Sequence, residues 1–139
     1  MDSNEYRSAK KVVEGYEQAM RDKRDARQKK AAQKLVGIYF QFQNSYSQSQ
    51  TWIEYGEAVG VTDGVMVKVN LYEIDSYGAP TIEQKDWHLD MLNIYAPETP
   101  NGPNKRIQRQ EFEVQKAIVA EKFNLYCSTF IQPSTGYEL

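Results

Sequence analysis

Cysteine and histidine are nearly missing from this chain, each present once, as Cys127 and His88. One thiol cannot close an internal disulfide, and neither residue alone builds a Cys-rich or multi-histidine metal site. The scarcity of thiols fits a reducing compartment. Cys127 sits in Asn124-Leu-Tyr-Cys-Ser-Thr, with no motif that would make it a nucleophile, and is expected to be a buried apolar side chain. Long apolar runs are also lacking. None approaches the ~18 residues of a membrane span, and Met1–Tyr6 has no apolar signal core. A chain that keeps Met1 is expected to be cytoplasmic or enclosed in an assembled particle, with no membrane contact. Gly56, Gly60 and Gly64 are four apart but lack the Lys-Ser/Thr of a phosphate-binding loop. No internal repeat is visible.

What is present fits a folded domain of ordinary size. The chain has 139 residues, 40% hydrophobic and 26% charged, which argues against wholesale disorder. Tyrosine is the outlier, with ten copies against five Phe and two Trp. Its ring can be buried while its hydroxyl stays wet, which suits interfaces and half-buried sheet faces. Charge is unevenly spread. Residues 1–34 hold ten Lys/Arg and six Asp/Glu, a net of +4, which leaves −6 for residues 35–139 of a chain whose net charge is −2. A basic N-terminal segment thus precedes an acidic body.

The period of the apolar residues predicts the elements. Ala9, Val12, Val13, Tyr16, Ala19 and Met20 form a helical stripe, so residues 4–34 read as one helix, with Ser3 or Asn4 as cap. The stripe fades into RDKRDARQKK, where Asp25 and Lys29 can pair. From Val36 the period becomes two: Val36, Ile38, Phe40 and Phe42 share a strand face, followed by a polar loop over 44–50. Strands near 52–61 and 65–74 flank Asp63-Gly64, a hairpin turn signal. A further turn falls at 75–80, and residues 86–95 read as a strand with Trp87, Leu89, Met91 and Tyr95 on one face. Three prolines and a glycine make 96–105 a stiff loop. Residues 106–122 favour helix, 124–131 strand, and 132–139 a polar tail. The fold class is therefore α+β: an antiparallel sheet of four to five strands, a long N-terminal helix packed partly on it, and a second helix near the C-terminus. Segment 1–34 is the basic helix and 35–139 the body of one domain.

Two groups of residues bear on function. Asp86, His88 and Asp90 would line one face of a strand, about 7 Å apart, where two carboxylates and an imidazole could hold a metal or orient the His as a base. The same alternation puts Trp87, Leu89 and Met91 in the core and leaves the Asp/His face in water, as is common for antiparallel sheets. Neither a metal site nor a catalytic residue is assigned, and no cofactor is implied. The second group is Arg21, Lys23, Arg24, Arg27, Lys30 and Lys34, three or four apart on the helix, so that several face one way. They could follow a phosphate backbone. Against this, Asp22 and Asp25 are interleaved and the pI is about 5.5.

Leu92-Asn-Ile-Tyr-Ala-Pro resembles a strand-and-loop segment of the endonuclease/exonuclease/phosphatase family. That family's Gly-Asp-Phe-Asn strand and late histidine do not follow Pro97, so no residue role is carried over. The resulting expectation is a non-enzymatic structural or assembly subunit of a larger complex, such as a virus or phage particle. It would dock through the N-terminal helix and the Tyr-rich sheet, with protein partners or further copies of itself. A nucleic-acid-binding module using residues 21–34 is the alternative, and a small metal-dependent enzyme centred on His88 a second.

Overall fold

The computed structural model describes residues 2–131. Its elements run α1 (Ser3–Lys34), β1 (Tyr39–Ser47), β2 (Gln50–Asp63), β3 (Met66–Ile74), β4 (Pro80–His88), α2 (Leu89–Tyr95), β5 (Lys105–Ile107) and α3 (Arg109–Ile131). The five strands form one antiparallel sheet in the order β4-β3-β2-β1-β5. The fold is α+β, as the alternation of periods predicts.

Period-two patterning divides the side chains between two sheet faces. Phe40 and Phe42, Ala58, Val67, Val69 and Leu71, and Trp87 share one face. There they pack with Leu89, Leu92 and Ala96 of the α2 segment and with Ala32 and Leu35 at the end of α1. Tyr39, Tyr55, Tyr72 and Ile74 are on the other face, under α3. Phe112, fully buried, sits between the rings of Tyr39 and Tyr72, at centroid distances of 5.0 and 5.8 Å. A bulge at Val59, between the pairs Ala58–Val69 and Gly60–Lys68, shifts the alternation, so that Ala58 and Val61 reach the same core. The hairpin across Asp63-Gly64 forms with Asp63 opposite Met66, and Gly64 takes φ +56°. At Gly56, opposite Phe40, a Cβ would lie 2.3 Å from the Phe40 ring, so the absent side chain is the space the ring fills.

Several boundaries differ from the sequence reading. Asp2, not Ser3 or Asn4, caps α1: its Oδ1 accepts from the backbone N–H groups of Asn4 and Glu5 at 2.9 and 2.8 Å. The loop expected at 44–50 contracts to a tight turn, because Asn44 and Ser45 pair with Trp52 and Thr51 as strand residues. β4 begins at Pro80, six residues earlier than expected. Its stretch Thr81–Asp86, polar except for the exposed Ile82, lies on an edge strand, which needs no apolar alternation. The strand expected through 95 ends at His88. Residues 89–95 are helical because His88 caps them and Leu89, Leu92 and Ala96 bury at helical spacing. The strand expected at 124–131 continues α3 instead. No Gly or Pro interrupts 109–131, and a growing helix adds a hydrogen bond with each residue. Cys127, on that last stretch, is half-buried rather than buried. The tail expected at 132–139 lies outside the described residues.

Candidate functional site

α1 packs on the sheet only in part, as expected: it meets the core at its C-terminal end through Ala32, and every residue from Ser3 to Ala31 is exposed. Tyr6, Val12, Val13, Tyr16 and Met20 are 46–73% exposed. Only Ala32 and then Leu35, 0% and 7% exposed, anchor the element. Thirty-two residues at 1.5 Å each make a rod ~48 Å long. Within it Gln18 donates to Asp22 and accepts from Arg21, both at 2.8 Å, while the Asp25–Lys29 pair does not form.

All six expected cations, Arg21, Lys23, Arg24, Arg27, Lys30 and Lys34, are exposed. Among the described residues none is in an ion pair within 4.0 Å. They are not one patch. Arg24 and Arg27 border Leu89 and Asp90 where the helix leaves the body. Lys23, Arg27, Lys30 and Lys34, spaced four, three and four, follow one side of the helix. That row continues a seam of the same alternating spacing through Tyr6, Ala9, Val13, Tyr16 and Met20. One side of the rod is therefore apolar over its first half and cationic over its second.

The second feature is a cleft on the α2 side of the sheet. There residues of β1, β2, β3, β4 and α2 line a cavity of about 510 Å³. Phe42, Trp87 and Tyr95 form an aromatic wall with centroid separations of 4.6 to 5.6 Å. Glu54 also lines the cleft, with Asn44 and Lys85. It lies opposite Phe42 on one neighbouring strand and Glu73 on the other. Glu54 is 7% exposed, and its Oε2 accepts from Asn44 Nδ2 at 3.3 Å. Burial, reinforced by the negative charges of Glu73 and Glu83, pushes its carboxyl from 4.5 up to about 7, against the opposing pull of Lys85 and the Asn44 hydrogen bond. The neighbouring charges are already engaged: Glu73 accepts from the Trp52 indole and Glu83 pairs with Lys85 at 3.2 Å. Farther along the same end of the sheet, Tyr46 stacks between Trp52 and Tyr77. Its hydroxyl donates to Asp75 at 3.0 Å. That bond holds the Tyr46 phenol above its usual range, and backbone N–H groups led by Ala79 hold the Asp75 carboxyl below its own.

Asp86, His88 and Asp90 do not form the row expected of them. Asp86 and His88 belong to β4, but Asp90 is in the first turn of α2. His88 Nδ1 accepts from the Asp90 backbone N–H at 3.1 Å, which makes the ring a helix cap. No three acidic, Cys or His side chains come together to hold a metal ion among the described residues. No helix among them is long and apolar enough to cross a membrane. Comparisons with protein-family models, curated proteins and solved structures return no match.

Glu54 escaped the sequence reading although a signal was there. Trp52, Glu54, Gly56 and Ala58 alternate on one face of β2, and a carboxylate in step with Gly56 and Ala58 is a charge in step with the core.

Proposed function

We propose that this chain is a non-enzymatic assembly subunit, of the kind that builds larger complexes such as virus or phage particles, and that α1 is its coupling element. The observation that carries this reading is the seam on α1, exposed along its whole apolar half. Isolated helices gain little stability in water, and most helices are held by packing of their apolar side. A rod with this side bare is completed by another surface. A second copy running antiparallel supports the reading in detail: setting Val13 against Tyr16 and Ala9 against Met20 alternates small and large side chains, and brings Lys10 beside Glu17 at both ends of the contact. The cations beyond it, Arg27, Lys30 and Lys34, then remain for the acidic body of a further copy.

Light scattering of the full chain across micromolar concentrations, with hydrogen exchange, tests this. The expected result is a mass above the 16.1 kDa monomer and slowed exchange over residues 6–20, both lost in the Val13→Asp/Tyr16→Asp variant. A monomer at every concentration, with freely exchanging α1 amides, refutes it. The row Lys23, Arg27, Lys30 and Lys34 supports a second reading, contact with nucleic-acid phosphates. That reading requires oligonucleotide affinity that falls steeply with salt.

A further inference from the structure

The Glu54 cleft is independent of α1 and poses its own chemical question. A carboxylate 7% exposed has one amide hydrogen bond and, among the described residues, no cation within 4.0 Å. Burying an ionisable group costs free energy unless something compensates it. Here the group is at the wall of a cavity of about 510 Å³, inside the range of small-ligand pockets. The rest of the wall decides the chemistry of an occupant. A hard divalent cation takes six or more oxygens and is repelled by a cation, whereas this cleft sets one carboxylate, the Asn44 and Gln43 amides, Ser45 and the Lys85 ammonium against three aromatic rings, Leu71 and Met91. Aromatic faces attract organic cations and bury hydrocarbon.

We propose that this cleft binds a primary ammonium carried on a hydrocarbon arm, with the ammonium on Glu54 and the arm against Phe42, Trp87 and Tyr95. The charged groups that face Glu54 are Glu73 from β3 and Glu83 and Lys85 from β4; the α2 residues on the cleft, Met91 and Tyr95, bring no formal charge. Glu83 holds Lys85 at 3.2 Å, so the native lysine is occupied outside the Glu54 carboxylate. An incoming ammonium favours the ionised carboxylate, so binding displaces the proton that Glu54 carries near neutral pH. The same head group could come from a free amine or from a lysine side chain of a polypeptide.

Titration of the full chain with phenethylammonium, with a short lysine-containing peptide capped at both ends, and with uncharged phenethyl alcohol separates these sources. Calorimetry and Trp fluorescence are the readouts. The expected result is saturable binding of at least one amine and none of the alcohol, with the tighter amine identifying the source. Affinity should fall about tenfold for each pH unit below 7, with proton release seen as a dependence of the heat on buffer. Glu54→Gln, which keeps the shape and the Asn44 contact, should weaken binding at pH 8 by at least about tenfold. Lys85→Met, which removes a competing positive charge, should tighten it. No saturable binding of either amine at millimolar concentration, equal binding of the alcohol, or undiminished binding by Glu54→Gln overturns the proposal.

Discussion

Replacing Glu54 by Gln should stabilise the free protein at pH 8 and leave it unchanged near pH 4. In the unfolded chain the carboxyl titrates near 4.5, and in the folded protein at about 7. Between those values the folded state holds a proton that the unfolded state has released, so stability falls as pH rises through the window and levels off above it. At ~1.4 kcal/mol per pH unit, the ionised side chain costs up to ~3 kcal/mol. Water entering the open cleft screens part of this, so a gain of ~2 kcal/mol is expected for Glu54→Gln at pH 8. The amide can still accept the Asn44 hydrogen bond that the carboxylate accepts. In a domain of this size the gain corresponds to a rise in Tm of about 4–8 °C. Urea unfolding of both proteins from pH 4 to 8.5 is the measurement. Two stability curves that stay parallel over that range would refute the assignment of a buried, proton-holding carboxyl.

Two other substitutions test the packing. Gly56→Ala puts a methyl 2.3 Å from the fully buried Phe40 ring, so the ring must move, at a cost of ~1–3 kcal/mol in urea unfolding. Ala32→Asp places a carboxylate at a fully buried position where α1 meets the sheet; it should cost ~2–4 kcal/mol, with faster hydrogen exchange in the last turns of α1.

The elements written in local chemistry were legible. The stripe and polar run of α1 and the Asp63-Gly64 hairpin each carry their own periodicity or turn residue. What was not legible depended on neighbours. Thr81–Asp86 looks like a loop until β3 pairs with it, and Leu89–Tyr95 alternates well enough for a strand until His88 closes the first turn of a helix. The six cations of α1 were found from spacing alone, but their exposure, and the bare apolar stripe before them, follow from where the helix is anchored. The cleft was the least readable feature. Its wall draws on β1, β2, β3, β4 and α2, and no local pattern encodes which of these elements come together.

The joint between α1 and β1 has mechanical leverage over whatever the rod meets. Four residues, Leu35–Ile38, make the connection, and Gly37 within them takes φ +95° while its N–H donates to Ala58 at 2.8 Å. A side chain there would resist that backbone geometry by ~1–2 kcal/mol and favour another exit direction. Because the rod is ~48 Å long, swinging it by about 10° at this joint carries its tip ~8 Å sideways. The direction in which the rod leaves the body is thus set by Gly37 together with the buried Ala32 and Leu35, far from its tip.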